Sequence, residues 1–327
     1  MASSPADDVP FEGDDVIRDY IEKYSNWGRW GTEDQRGALN HVGPEQITAA
    51  AGLVRQGKVI SMGLPLDLAG PQSGGFRANP LNMMTATGTD YLAGKQDVLP
   101  GGFGPSKGFG FSDDVLVTPN QAGSQWDGLA HIFWKGKMYN GFDAGDVTSA
   151  GAGRCGIEVM RTSMVMRGVL LDVARHKGVG CLDPGYAITA DDLDATAAAQ
   201  GVEVRTGDAV IVRTGMTETR RGNWGDYNGG ASPGLSLHTA PWLHAHNVAA
   251  IATDTWGCEV RPNEIDLFQP LHVVALVNMG IPFGEIWDLQ AIGEDCAGDG
   301  VYEFLLSATP LPITGAAGSP LNAVAVK

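Results

Sequence analysis

The sequence predicts an α/β protein with a mixed β-sheet core and flanking helices. Three observations carry this. Buried-looking apolar runs of strand length recur, among them GVLLDVA (168–174), GDAVIVRTG (207–215) and NVAAIATDT (247–255). Helical patterns separate only some of these runs while other strands follow one another directly, which favours a mixed sheet over a purely parallel one. Gly 46 and Pro 18 make up about a fifth of the 327 residues without a fixed period, so many tight turns and short strands are expected rather than a repeat array.

Residues 1–13 are acidic and polar and are expected to be disordered. From Asp14 to Tyr24, Val16, Ile17, Tyr20 and Ile21 recur at helical spacing. Pro44 suits the first turn of a second helix that ends near Gly57, so residues 14–57 read as a helical extension. VISMGLPL (59–66) reads as the first strand and DDVLVTP (113–119) as another, while the Gly/Pro-rich stretch 67–113 between them is long enough to suggest a functional loop. Ile188 to Gln200 reads as a helix capped by Thr189, Leu237 to His246 as another, and Pro270 to Met279 as a third with a stop at Gly280. GEIWDL (284–289) and YEFLLSATPLP (302–312) read as strands, and no composition shift marks a domain boundary.

Composition excludes several classes. With 22 basic and 38 acidic side chains the formal charge is −16, and no Lys/Arg-rich stretch is present, so nucleic acid and anionic membrane surfaces are not expected partners. No apolar run reaches the roughly 18–20 residues that span a bilayer. The N-terminus lacks the apolar core of a secretory signal, and Cys155, Cys181, Cys258 and Cys296 are scattered, which suggests reduced thiols in a cytoplasmic protein. GAGRCG (151–156) matches GxGxxG, but loop rather than a buried strand precedes it, so a dinucleotide site is not expected. His244 and His246 stand two apart on a helix, point to different sides, and read as a partly exposed pair.

The informative stretch is QAGSQWDGLAHIFWKGKMYNGF (121–142). In extended chain Gln125 and Asp127 share one face, and Gly128 permits a turn that would return His131 beside Asp127. A carboxylate beside an imidazole fixes a tautomer or holds a metal; the same pair would also serve as a simple hydrogen bond in a turn. Trp126, Phe133, Trp134, Tyr139, Trp27 and Trp30 cluster around the motif, either as ordinary core or as a flat apolar pocket for a ring-bearing substrate.

These residues resemble the cyclase family, which includes bacterial kynurenine formamidase and isatin hydrolase. The family signature HxGTHxDxPxH reads here Gln121-x-Gly123-Ser124-Gln125-x-Asp127-x-Leu129-x-His131, followed by Ile132 and Phe133. GVLLDVA, the ITADDLDATAAAQGVEVRTGDAVIVRTG stretch, SPGLSLHTAPWLHAHNVAAIATDT and LHVVALVNMGIPFGEIWDL extend the likeness over about residues 58–325, which marks 58–327 as one catalytic domain. NWGRWGTEDQRGALN (26–40) resembles a long-chain branch of the family.

The resemblance implies a cyclase-like fold of the swivelling β/β/α type, a homodimer or homotetramer, and a divalent metal, Zn or Mn, that serves hydrolysis of an amide, cyclic imide or lactone. It implies a first metal site of Gln121, Gln125 and Asp127, a second of Asp127, His272 and Glu285, and His131 as the proton-transferring group. Two motif histidines are glutamines here, which weakens the first site because a neutral amide oxygen replaces imidazole. His272 and Glu285 are one residue further apart than in the formamidases, which an insertion near Gly280 would absorb. The expected function is a metal-dependent hydrolase of a C–N or C–O bond in a small cyclic or aryl amide, imide or lactone. The alternatives are a metal-free acid–base enzyme that cyclises, lactonises or dehydrates through Asp127 and His131, and a non-catalytic small-molecule binder.

Overall fold

The computed structural model describes residues 9–327; residues 1–8 of the segment expected to be disordered lie outside the described residues. Of the remainder of that segment, Phe11 packs edge-on against Trp134 at 6.0 Å between ring centroids.

A nine-stranded mixed sheet organises the chain. In chain order its strands are β1 (Val59–Ser61), β2 (Gln125–Asp127), β3 (Val165–Asp172), β4 (Ala209–Arg213), β5 (Ala250–Thr253), β6 (Phe283–Glu285), β7 (Glu303–Ser307), β8 (Gly318–Pro320) and β9 (Val324–Val326). Across the sheet they lie in the order β1-β9-β7-β3-β4-β5-β6-β2-β8. The four central strands β3 to β6 run parallel, and antiparallel neighbours continue the sheet on both sides. This matches the mixed sheet expected from sequence. The central strands are continuous apolar runs because both of their faces are covered: every residue of β4 and β5 is buried.

Helices cover the sheet. α1 (Asp14–Tyr24) and α2 (Pro44–Ala51) come from the N-terminal extension, and α3 (Ala190–Gln200) begins at Thr189, whose hydroxyl accepts from the Asp192 amide while the Asp192 carboxylate accepts from the Thr189 amide. A short α4 (Ala240–Ala245) leads into β5. α5 (His272–Met279) is wound as a π-helix, buried along its whole length, and stops at Gly280 with φ 71°. α6 (Gln290–Asp299) follows β6. His244 and His246 are both half-buried at the end of α4, and all four cysteines are free thiols.

Several elements differ from the sequence reading. The strand expected over 113–119 is Asp113–Val117, and it pairs with Leu81–Ala86 in a separate two-stranded ribbon outside the main sheet. Both ribbon strands expose apolar side chains, so their hydrophobicity mimicked that of core strands. The strand expected over 59–66 is confined to Val59–Ser61, because the chain leaves the sheet before Pro65. The strands expected over 247–255 and 284–289 are likewise shorter, Ala250–Thr253 and Phe283–Glu285.

The N-terminal extension belongs to the same core: Ile17 and Leu39 are fully buried within it. It also receives the free carbonyls at the end of α5. Trp27 Nε1 donates to Val277 O at 2.8 Å, the Asn26 amide and side chain donate to Asn278 O and Met279 O at 2.9 Å each, and Ala38 N donates to Gly280 O at 2.8 Å. Helix ends buried without such partners would be costly.

Gly284 in β6 lies between two tryptophans. A Cβ there would stand 2.7 Å from Ala252 Cβ, 2.8 Å from Trp126 Cζ3 and 3.0 Å from Trp287 Cε2. Gly284→Ala is expected to cost about 1–3 kcal/mol through overpacking, read as a lower thermal midpoint; an unchanged midpoint would show that the two rings can part freely.

Candidate metal centre

The site begins on β2. β2 is paired on both edges, with β6 and β8, and its alternation sends Gln125 and Asp127 to one face and Trp126 to the other. Register places Glu285 opposite Gln125 and Phe283 opposite Asp127, so the same face carries the Glu285 carboxylate. Gly128 then turns the chain: its amide donates to Ala317 O at 2.8 Å and its carbonyl accepts from His131 N at 2.9 Å. A Cβ at Gly128 would meet Ala317 O at 2.9 Å, so glycine is what allows this close turn. The turn brings His131 Nε2 to 3.6 Å from Asp127 Oδ1.

α5 supplies the second imidazole. Its first turn is capped by Glu259, whose two carboxylate oxygens accept from Leu271 N at 3.0 Å and His272 N at 3.1 Å, a favourable use of negative charge at a helix N-terminus. Glu259 Oε1 also lies 2.5 Å from His272 Nδ1. This fixes the ring so that Nε2 faces Glu285 Oε1 at 3.3 Å and Asp127 Oδ2 at 4.0 Å. Phe283 packs against the ring at 4.4 Å between centroids. A π turn consumes one more residue than an α turn. α5 is wound this way over His272–Met279, between the imidazole and the turn at Gly280.

Asp127, His272 and Glu285 are all buried, and one ligand atom from each lies within 4.8 Å of the others. This group can hold a metal ion. Burial pushes the Asp127 carboxyl up to about 6, against the pull of His131. Burial pulls His272 down, but its hydrogen bonds to Glu259 and Glu285 outweigh this and raise it to about 10, so without a cation the ring carries the balancing positive charge. Burial holds His131 below the usual histidine value, leaving it neutral. Asp127 Oδ2 and Gln125 Oε1 are buried without a hydrogen-bond partner. Orphaned acceptors and clustered buried carboxylates are the conditions a divalent cation relieves.

The other expected residues fall elsewhere. Gln125 faces the cluster with its nitrogen, donating to Glu285 Oε2 at 2.9 Å and Asp127 Oδ1 at 3.4 Å, rather than with the oxygen that would ligate a cation. The Gln121 side chain lies over Gly318 and makes no hydrogen bond to the cluster among the described residues. The aromatics do not line one cavity. Trp126 points to the opposite face of β2, donates to Ala308 O at 2.7 Å and meets Trp287 edge-on. Tyr139 is core, donating to Asp34 at 2.9 Å. Phe133 and Trp134 border a surface groove with Phe11, and Trp30 packs edge-on against His41. Adjacency in sequence placed these rings on different faces.

Sequence reading missed Glu259 and Arg77. Arg77 comes from the Gly/Pro-rich stretch, and its charge favours ionised Asp127 and neutral His131. Glu259 had one available signal: it follows the carboxyl end of β5, where open α/β sheets place ligands.

The Cyclase family model matches residues 66–260. A crystal structure of a novel cyclase is 40% identical, with 94% of this chain and 99% of that chain covered and a TM-score of 0.84. The chain belongs to the cyclase family, a family of enzymes. Its fold is also similar to an isatin hydrolase bound to the product analogue thioisatinate, at 18% identity, 84% and 93% coverage and a TM-score of 0.57. Isatin hydrolase A from Ralstonia solanacearum is similar to the same degree, at 18% identity, 85% and 93% coverage and a TM-score of 0.58. No match is found among curated proteins. No helix of the described residues is long and apolar enough to cross a membrane.

Glu259→Ala would strip four donors of their acceptor, the amides of Leu271 and His272, the His272 ring and the Asn263 side chain. A loss of about 3–5 kcal/mol is expected in urea denaturation; a loss under about 0.5 kcal/mol would show that the carboxylate does not hold α5.

Proposed function

We propose that this enzyme is a metal-dependent hydrolase of a C–N or C–O bond in a small cyclic or aryl amide, imide or lactone. The observation that carries the proposal is the buried triad Asp127, His272 and Glu285 with an orphaned carboxylate oxygen on Asp127. Carboxylate, imidazole and carboxylate form a donor set that suits Zn or Mn. A divalent ion bound there would bring the pKa of a coordinated water towards about 7 and polarise a substrate carbonyl.

The chain's own groups supply the rest. Glu259 keeps the His272 proton on Nδ1 and frees Nε2 as a ligand atom. Gln125 donates to Glu285 and Asp127 and keeps both carboxylates turned into the site. His131 is the member of the cluster with the most solvent access, with 20% of its side chain exposed against 1% for Asp127 and His272. As a neutral imidazole beside Asp127 it can take a proton from the attacking group and pass it to the leaving nitrogen or oxygen. The enzyme is further proposed to act on a small molecule in the cytoplasm as a homodimer or homotetramer.

One observation favours a second reading. The Gln125 nitrogen already bridges the two carboxylates, so a metal-free enzyme could run acid–base cyclisation, lactonisation or dehydration through Asp127 and His131.

Metal content of the purified protein and of Asp127→Asn separates the two. The hydrolase should hold close to one Zn or Mn per chain, and Asp127→Asn should lose it together with turnover. His131→Ala should retain the metal and lose about 10²–10⁴ in kcat on an aryl-amide or lactone panel. Full activity after chelation would favour the metal-free reading.

A further inference from the structure

Beside the candidate metal centre stand two arginines that form no ion pair among the described residues, although Arg261 feels the charge of Glu259. Arg261 makes no side-chain hydrogen bond or ion pair among the described residues, and its Nη1 is buried without a partner. Its backbone is fixed by paired bonds with Ser232 at 2.9 and 3.0 Å, so the residue is held at this place in the fold. Its guanidinium lies 5.6 Å from the centroid of the Trp256 ring and 5.1 Å from that of Phe268. Arg77 lies over the same indole at 5.8 Å and over the Phe76 ring at 5.1 Å, and among the described residues its side chain makes one hydrogen bond, to Gln121 O at 3.3 Å. Trp256 Nε1 is likewise buried without a partner.

This group offers donors alone. Guanidinium and indole N–H have no acceptor capacity, so a ligand group that satisfies them must supply acceptors, and two positive charges favour an anionic one. A carboxylate meets that requirement, and its plane matches the guanidinium fork. Two like charges over one ring repel, and an anion bound beside them offsets that repulsion. Arg77 links this cluster to the chemistry, because its charge bears on both Asp127 and His131. Most other arginines in this acidic chain are paired with carboxylates, as Arg167 and Arg213 are.

We infer that Arg77, Trp256 and Arg261 form a carboxylate subsite, and that the substrate is an aryl or cyclic carbonyl compound that carries a carboxylate remote from the bond being cleaved. The inference rests on the hydrolase reading for the word substrate, but the subsite itself is a binding claim. Arg77 and Arg261 would thus set specificity, while the hydrolytic step belongs to the centre on β2, β6 and α5.

Calorimetry with benzoate and benzamide, a pair that differs in the anionic group, tests this on the purified protein. The wild type is expected to bind benzoate about tenfold or more tightly than benzamide. Arg261→Met and Arg77→Met should each erase most of that preference while benzamide affinity and the thermal midpoint hold, and Arg261→Lys should restore part of it. Equal affinity of the wild type for both probes would overturn the inference. So would a preference that survives in both methionine variants, since the anion would then be held elsewhere, including on a bound metal. Loss of the preference in the variants of a protein that shows no hydrolysis would keep the subsite and refute the hydrolase reading alone.

Discussion

One carboxylate does the work on which the site depends. Glu259 accepts from the amides of Leu271 and His272 and from the His272 ring, so a single side chain starts α5 and aims its imidazole. A histidine on an apolar, fully buried helix would otherwise be free to turn its polar edge away from the sheet. Because Nδ1 is engaged, Nε2 must face β2 and β6, and there it meets Asp127 and Glu285. The three charged groups are brought together by strand register on one side and by one helix cap on the other.

The rest of the fold supports that arrangement. The far end of α5 is held by the N-terminal extension, whose Asn26, Trp27 and Ala38 take up carbonyls from 277 to 280. π-winding spends an additional residue and is tolerated because both ends are anchored. On the opposite face of β2, Trp126 and Trp287 meet at 5.0 Å and leave room only for glycine at 284.

Part of this was legible from sequence. The mixed sheet followed from buried apolar runs such as GDAVIVRTG, and strand alternation with a glycine turn was enough to put Gln125, Asp127 and His131 in one neighbourhood. His272 and Glu285 came from a family resemblance, since nothing local links residues separated from Asp127 by more than a hundred positions. Glu259 carried only its place after the carboxyl end of β5 as a signal, because its role depends on how α5 returns to that end. The aromatic group misled because neighbours in sequence alternate faces; Trp126 flanks the site in the chain but lies behind it in the fold. The orientation of the Gln125 amide, nitrogen inward, is set by Asp127 two residues on and by Glu285 on the paired strand, and only the first of these lies in its own segment.

The claim that joins these observations is that a divalent cation sits among Asp127, His272 and Glu285. Anomalous diffraction from crystals of the purified protein, recorded on both sides of the zinc and manganese absorption edges, tests it most directly. The account predicts one strong peak per chain, bounded by His272 Nε2 and by carboxylate oxygens of Asp127 and Glu285. Clean density without an anomalous peak at either edge, in crystals grown with both metals supplied, would contradict it.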